Sequence, residues 1–370
     1  MPAPKKAPDP RFAVGAWAFM YGCDDRFGAG YNPHPLELEE VFDLLAHVEG
    51  MEYVAGHFPG EFPDDLELLT RLSRSYRIGI GSVVAKTFGS KYRNGGLTNP
   101  YPGVRKEALD TLKRCLEMNN ALVPRMKEIG RPLGARNCVI WLGHDGSNGL
   151  FLCDYGWRWK TLTESFAEAL KSVPGCRIAL EPKPGDPAED CFIRGVTAGL
   201  HLRNKVDALL PEKERGRFGF NVEYGHVHLE GGKVAESLCL ALDEGALFQI
   251  DLNDNRKRWD SDHIPGNDNE QEILEAEYWL HHKGFDGIFN FDLFPQRVPG
   301  DTKRDTRRRF GEHLAECVNA VRYRWEVVKR LPPPEEMAGL WADPDETRVS
   351  RLLRDTRNRR IDFAESRYRA

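Results

Sequence analysis

Five short stretches between residues 181 and 292 carry side chains that could bind divalent cations. Their six carboxylates are accompanied by one imidazole and one lysine. Oxygen ligands with a single nitrogen suit Mg²⁺, Mn²⁺ or Co²⁺ better than zinc, which favours thiolates or several imidazoles. Carboxylates held together raise each other's pKa, whereas two divalent cations would neutralise most of their charge. We therefore expect two such ions per subunit, held by Glu181, Glu223, His226, Asp251, Asp260, Asp262 and Asp292.

Most of these stretches follow a short apolar run. Examples are Arg177-Ile-Ala-Leu before Glu181 and Leu247-Phe-Gln-Ile before Asp251. Short apolar runs that end in acids indicate strands whose C-terminal ends carry the acids. Taken singly, any one of these acids could equally be a solvent-exposed loop carboxylate. Their shared position at strand ends favours a common site.

Spacing along the chain indicates which side chains can face one another. Glu181 and Lys183 are two residues apart, so an extended backbone points both in the same direction. Glu223 and His226 are three residues apart, which a straight strand would send to opposite faces. The chain must therefore turn at Tyr224-Gly225 if both side chains are to converge.

Strand and helix patterns alternate through the chain. Eight β-then-α units predict an α/β fold, a closed (β/α)8 TIM barrel over residues 11–331 with a C-terminal extension. An open doubly wound sheet is the alternative, but no Gly-x-Gly-x-x-Gly follows a strand, so a dinucleotide site has no support. The predicted strands are 12–17, 51–55, 78–84, 138–142, 177–181, 218–222, 247–252 and 287–291. The predicted helices are 35–48, 64–75, 104–129, 162–173, 196–210, 235–243, 270–282 and 306–331.

Composition bounds the function. The formal charge of −5 over 370 residues gives no support for nucleic-acid binding and favours a small-molecule partner. Eight cysteines are scattered singly, without Cys-x-x-Cys, as expected for reduced thiols in a cytoplasmic protein. No stretch approaches the length of a membrane span, and the first residues lack the apolar region of a signal peptide. We expect a cytoplasmic enzyme.

The two ends of the chain differ from the barrel in composition. Residues 1–10 are proline-rich and predict a disordered segment. Residues 332–370 form a charged tail, whose basic stripe could bind nucleic acid but is interrupted by acids such as Asp355. A solvated or subunit-contacting helix is the preferred prediction. The stripe consists of Arg348, Arg351, Arg354 and Arg357.

Over roughly residues 12–300 the chain resembles xylose (glucose) isomerase and its TIM-barrel superfamily. The most specific matches are Leu180-Glu-Pro-Lys-Pro184, Gly219-Phe-Asn-Val-Glu-Tyr-Gly-His226, Phe248-Gln-Ile-Asp-Leu-Asn253, Trp259-Asp-Ser-Asp262 and Phe291-Asp-Leu-Phe-Pro-Gln-Arg297. The resemblance implies two metal sites that share Glu223. One would comprise Glu181, Glu223, Asp251 and Asp292, and the other Glu223, His226, Asp260 and Asp262.

The resemblance also implies a reaction, in which a sugar ring opens and a hydride moves between C1 and C2. His57 would assist ring opening, and Lys183 would bind the carbonyl oxygen at C1. This agrees with the ligand set, because divalent cations polarise carbonyl and alkoxide oxygens and lower the pKa of bound water. No organic cofactor is implied.

Three aromatic residues extend the resemblance. Trp17 and Trp141 match the tryptophans that wall the sugar pocket, and Phe27 matches a phenylalanine that a neighbouring subunit inserts into the site. Each aromatic residue taken singly would more often be plain core. The resemblance implies a homo-oligomer, either a dimer or a tetramer.

The chain departs from the family where the sugar would be contacted. The aspartate that orients the family's histidine is Gly60 here, with Glu61 one residue later, and a pocket lysine is replaced by Phe294. A threonine pair is replaced by Val84-Ala85, and a glutamate by Asp186. An aldose–ketose isomerase is therefore one interpretation, and an isomerase or epimerase for a different polyol is another. A metal-dependent hydrolase or lyase, or a non-catalytic sugar-binding relative, also remains open.

Overall fold

The protein forms a closed barrel of eight parallel strands. The computed structural model describes residues 6–20 and 32–369. The first strand pairs with both the second and the last, which closes the barrel. The predicted (β/α)8 barrel is thus confirmed. The barrel strands are β1 Arg11–Gly15, β2 Met51–Phe58, β3 Gly79–Ala85, β4 Asn137–Trp141, β6 Arg177–Glu181, β8 Phe218–Glu223, β9 Leu247–Leu252 and β10 Ile288–Phe291, and their order around the barrel is β1-β10-β9-β8-β6-β4-β3-β2. Two further strands, β5 Gly146–Ser147 and β7 Asp190–Cys191, form a short two-stranded antiparallel sheet outside it.

Helices follow the strands and cover the barrel. Side chains supply several of their N-terminal caps: Asp65 accepts a bond from the amide of Leu68 at 2.9 Å, and Thr302 one from the amide of Asp305 at 3.1 Å. No helix in the described residues is long and apolar enough to cross a bilayer. The helices are α1 Leu38–Ala46, α2 Leu66–Tyr76, α3 Pro102–Glu128, α4 Tyr155–Ser172, α5 Val196–Leu209, α6 Tyr224–Glu230, α7 Val234–Asp243, α8 Glu270–His282, α9 Lys303–Arg330, α10 Pro334–Ala342 and α11 Glu346–Arg357.

Three short elements differ from the sequence prediction, and all lie at the C-terminal end of the barrel. The first strand ends at Gly15, and Ala16–Ala18 forms a 3₁₀ turn that buries Trp17. The two-stranded sheet of β5 and β7 and the helix α6 were not predicted. Elements this short show too little hydrophobic periodicity to be recognised in the sequence. Tertiary contacts stabilise them instead, such as the hydrogen bond from the amide of Gly225 to Asn253 Oδ1.

The N-terminal segment is partly packed. The amide of Ala7 donates to the carbonyl of His281 at 2.8 Å, and Asp9 pairs with Lys329 at 2.6 Å. These contacts tie Ala7 and Asp9 to α8 and α9, while the predicted disorder of the N-terminal segment stays a prediction. Residues 1–5 lie outside the described part of the chain.

The charged tail returns to the barrel domain after α11. The amide of Ser366 donates to Asn319 Oδ1 at 2.6 Å, and the amide of Arg369 donates to the carbonyl of His47 at 2.8 Å. Tyr368 packs against Gly311 so closely that a Cβ there would lie 2.3 Å from its ring. The last residues thus contact their own chain, while the predicted subunit contact of the tail stays a prediction.

Candidate metal centre

The acids predicted from the sequence gather at the C-terminal ends of the barrel strands. Glu181 and Glu223 are the last residues of β6 and β8. Asp251 lies one residue before the end of β9, and Asp292 follows the last residue of β10. The strand register places Glu223 directly beside Asp251. Parallel pairing therefore brings together acids that are far apart in sequence.

Three sets of ligand atoms could each hold a metal ion. Within each set the atoms all lie within 4.8 Å of one another, and Glu223 belongs to every set. A carboxylate in this central position could bridge two ions. The sets are Glu181 with Glu223 and His226, Glu223 with Asp260 and Asp262, and Glu223 with Asp251 and Asp292. All seven predicted ligands are thus included.

The turn required between Glu223 and His226 is the start of α6. The helix begins at Tyr224, immediately after the strand, so His226 lies over the strand end. Its Nδ1 is 3.1 Å from Glu223 Oε2, and its Nε2 is 3.2 Å from Asp260 Oδ2. The helical turn therefore brings the imidazole between acids of two different elements.

Asp260 and Asp262 come from the loop after β9. Asn253 connects this loop to the strand ends, because its Nδ2 donates to Glu223 Oε1 at 2.7 Å and to Asp262 Oδ1 at 2.6 Å. Asp262 has a φ of 49°, a left-handed conformation that non-glycine residues seldom adopt. Positions of this kind occur most often at functional sites.

Burial and mutual repulsion raise the pKa of the acids. Burial, with the charge of Asp251 adding to it, raises the pKa of Glu181 to about 8, and burial raises that of Asp251 to about 6. The pKa of Glu223 is raised by burial and by Asp260, and that of Asp292 by burial and by Asp262.

One oxygen of Glu223, Oε2, lies close to His226 Nδ1 but forms no hydrogen bond with it. This buried oxygen accepts no hydrogen bond within the described residues. Divalent cations would neutralise the cluster and coordinate this oxygen, so the donor set fits them.

Lys183 lies between the acids and the open cavity. Its Nζ is 2.9 Å from Asp260 Oδ2 and 3.6 Å from Asp186 Oδ2, and it lies 5.1 Å from the ring centroid of Trp141. The ammonium group therefore offsets part of the negative charge. It also borders the space in which a substrate oxygen would lie.

His57 is oriented by Glu61. The imidazole Nδ1 is 3.0 Å from Glu61 Oε2, and the same oxygen accepts the backbone amide of His57 at 2.7 Å. A carboxylate at this distance favours the tautomer with hydrogen on Nδ1, which leaves Nε2 as the acceptor. Glu61 thus occupies the orienting position for which the sequence has Gly60 in place of the family's aspartate.

A cavity that opens to solvent borders the acids. Trp17 and Trp141 both line it, as the resemblance implies. Trp17 also donates from Nε1 to Asp292 Oδ1 at 2.7 Å. Phe27 lies outside the described residues. The apolar part of the wall consists of Trp17, Val84, Phe88, Val139, Trp141 and Phe294.

Several residues at the site were missed by sequence reasoning. Phe88 lies 5.2 Å from the ring of His57 and 4.4 Å from that of Trp141, and it follows a strand end like the acids. Asn221, Gln249 and Asn290 are buried and bond to acids at the site. The sequence spacing could have indicated these three amides, because each stands two residues before a predicted ligand and so faces the same side of its strand.

The closed barrel and the acids at its strand ends define a TIM barrel with a candidate metal centre. The model of the family described as "Xylose isomerase-like TIM barrel" matches residues 45–317. The chain therefore belongs to the xylose isomerase-like TIM barrel family.

Relatives in sequence agree with this assignment, and solved structures share the fold. Xylose isomerase from Thermus thermophilus is 29% identical over 305 residues, which cover 79% of this chain and 74% of the relative. Xylose isomerase from Thermus caldophilus is 28% identical over the same coverage. The fold is similar to that of D-psicose 3-epimerase from Clostridium cellulolyticum H10, with a TM-score of 0.57 and 15% identity, covering 85% of this chain and 99% of that one. An L-ribulose 3-epimerase has a TM-score of 0.59 at 13% identity, covering 91% and 99%.

Proposed function

We propose that this protein is a divalent-metal-dependent sugar isomerase, which interconverts an aldose and a ketose by a metal-assisted 1,2-hydride shift. The observation that carries the proposal is the convergence of six other candidate ligands on Glu223 beside a cavity with an aromatic wall. The similarity to two xylose isomerases over 79% of the chain supports a sugar as the substrate class.

Two divalent cations held by these residues would act as Lewis acids on the sugar oxygens and lower the pKa of bound water. Lys183 donates a hydrogen bond to the carbonyl oxygen of the open-chain sugar, where negative charge develops. Trp17, Phe88 and Trp141 pack against the C–H groups of the sugar and keep bulk water from the reacting carbons.

His57 acts on the ring form of the substrate. Glu61 keeps hydrogen on Nδ1, so Nε2 can accept the proton of the anomeric hydroxyl while the ring opens. The dyad is buried, with side chains 8% and 1% exposed, which keeps the imidazole in one orientation. Ring opening is the step that this pair contributes.

A second candidate is an epimerase or isomerase for a different polyol. The apolar residues Val84 and Phe294 favour it, because they replace polar sugar contacts of the family while the acids are kept. The same acids could support proton abstraction next to a carbonyl group. The two candidates differ in the fate of the transferred hydrogen.

One experiment separates these candidates. A panel of aldoses and ketoses is assayed with Mg²⁺, Mn²⁺ and Co²⁺, and the active substrate is then prepared with deuterium next to its carbonyl group, at C2 of an aldose or at C3 of a ketose. A hydride shift keeps the label in the product, whereas proton transfer releases it to solvent. If the product is an epimer and the label is lost to solvent, the result favours the epimerase over the proposed isomerase. Release of two products would favour a hydrolase, and binding without turnover a sugar-binding relative.

The same resemblance supports a homo-oligomer in which Phe27 of one subunit completes the site of another. Light scattering of the purified chain would measure the mass of the assembly. If the assembly is a dimer or tetramer, Phe27→Ala should impair turnover without changing that mass. A monomer with full activity would contradict this proposal.

A further inference from the structure

Three successive barrel strands carry a buried amide beneath a candidate ligand. Asn221 precedes Glu223 by two residues on β8, and Gln249 and Asn290 stand in the same relation to Asp251 and Asp292. Side chains two residues apart on a strand project to the same side. The three amides are at most 1% exposed. We call Asn221, Gln249 and Asn290 the amide layer.

The amide layer donates its N–H groups to the acids. Asn221 Nδ2 donates to Glu181 Oε2 at 3.0 Å. Gln249 Nε2 and Asn290 Nδ2 both donate to Asp251 Oδ1, at 3.2 and 3.0 Å. Two amides therefore bond to one oxygen of Asp251, and hydrogen bonding from the neighbouring amide of Asn221 also lowers the pKa of this carboxyl group.

The carbonyl oxygens of these three amides distinguish them from a buried amide that only stabilises the fold. The carbonyl oxygens of Asn221, Gln249 and Asn290 have no hydrogen-bond partner within the described part of the chain. Buried Asn137, by contrast, uses both ends, donating to the carbonyl of Phe248 at 3.1 Å and accepting from Arg177 Nε at 3.0 Å. Burying a polar group that makes only part of its bonds costs free energy. The described contacts of the amide layer thus point to one task, which is to bind the acids.

Two other donors repeat the pattern. Trp17 Nε1 donates to Asp292 Oδ1 at 2.7 Å, and Asn253 Nδ2 donates to Glu223 Oε1 at 2.7 Å. Each acid of the first implied site, Glu181, Glu223, Asp251 and Asp292, thus has one oxygen engaged by a side-chain N–H group.

We propose that Gln249 and Asn290 are positioning residues that turn Asp251 so that a single oxygen is presented to the metal. The inference rests on the proposed metal centre. Mg²⁺ demands near-ideal octahedral geometry and Mn²⁺ is also usually six-coordinate, whereas Ca²⁺ accepts six to eight ligands and bidentate carboxylates. Releasing Asp251 to rotate therefore weakens Mn²⁺ binding and reduces the discrimination between Mn²⁺ and Ca²⁺.

The test measures Mn²⁺ and Ca²⁺ binding to the full chain by calorimetry, with no sugar present. Asn290→Leu and Gln249→Met remove one donor each at similar volume. Each should raise the Kd for Mn²⁺ by about 10–100-fold, the usual range for groups that orient metal ligands, and lower the ratio of the Ca²⁺ Kd to the Mn²⁺ Kd. Asn290→His keeps an N–H donor close to the position of Nδ2 and should restore both quantities.

The matched control is Asn137→Leu, which removes a buried amide of the same barrel without touching an acid. It should change thermal stability and leave the Kd ratio as in the wild type. Wild-type Mn²⁺ affinity in Asn290→Leu and Gln249→Met would overturn the inference, as would an equal loss of selectivity in Asn137→Leu. If the wild-type chain binds Mn²⁺ but isomerises no sugar, the proposed function is rejected. The inference about Gln249 and Asn290 is not affected by that result, because the binding test does not depend on turnover.

Discussion

Metal affinity should rise steeply between about pH 6 and pH 8, because protons and cations compete for the same buried oxygens. The pKa of Glu181 is raised to about 8 and that of Asp251 to about 6 in the metal-free protein. At about pH 7, roughly nine tenths of Glu181 carries a proton that a cation must displace, while Asp251 is mostly ionised. The Kd for Mn²⁺ should therefore increase at least about fivefold from pH 8 to pH 7, because Glu223 and Asp292, whose pKa is also raised, bind competing protons in the same way. It should increase more than about tenfold again from pH 7 to pH 6, where Asp251 begins to be protonated.

The effect on stability has a definite sign. A carboxyl group whose pKa is raised in the folded state disfavours folding once it is ionised, so the metal-free protein should lose stability as pH rises toward about 8. Bound cations remove this penalty. The increase in Tm caused by Mn²⁺ should therefore be larger at about pH 8 than at about pH 6.

Calorimetry in two buffers of different ionisation enthalpy counts the protons released on binding. At about pH 7 we expect at least about one proton per chain, mainly from Glu181. Glu181→Gln should flatten the pH dependence while weakening binding. Asp145→Asn is the matched control, because Asp145 is equally buried but is bonded to Thr98 and Gly96 away from the acids. An affinity that is constant across this pH range, with no proton released, would refute the reasoning.

Three further outcomes are expected. Lys183→Met should lower kcat by at least about 100-fold, because a donor to the developing oxyanion is lost. Mass spectrometry should show an unchanged metal content, and a near-normal kcat would reject this role. Glu61→Gln should slow turnover of a cyclic sugar by about 10–100-fold, because His57 loses its orienting charge. Turnover of an open-chain substrate should stay nearly unaffected. Equal losses on both substrates would show that His57 and Glu61 do not act in ring opening. Chelation with EDTA at about pH 8 should remove activity and lower Tm by roughly 5 °C, because the acids lose their counterions; an unchanged melting curve would argue against filled sites.

The barrel and the acids could be predicted because both leave local signals. Buried parallel strands appear as short apolar runs, and acids such as Glu181 and Asp251 stand at their ends. Since all strands of a (β/α)8 barrel point the same way, their ends meet at one face whatever the length of the helices between them. The turn between Glu223 and His226 followed from the same geometry, and α6 provides it.

Contacts between distant residues were decided only by the tertiary structure. The bond of Asn290 to Asp251 depends on the register of β10 against β9, and that of Lys183 to Asp260 depends on the path of the loop after β9. Glu61 reaches His57 because the chain turns sharply after β2, a conformation that residue spacing alone does not specify. Sequence by itself therefore determined which residue types stand at the strand ends, whereas folding decided which oxygen of each acid is bonded and which remains for a cation.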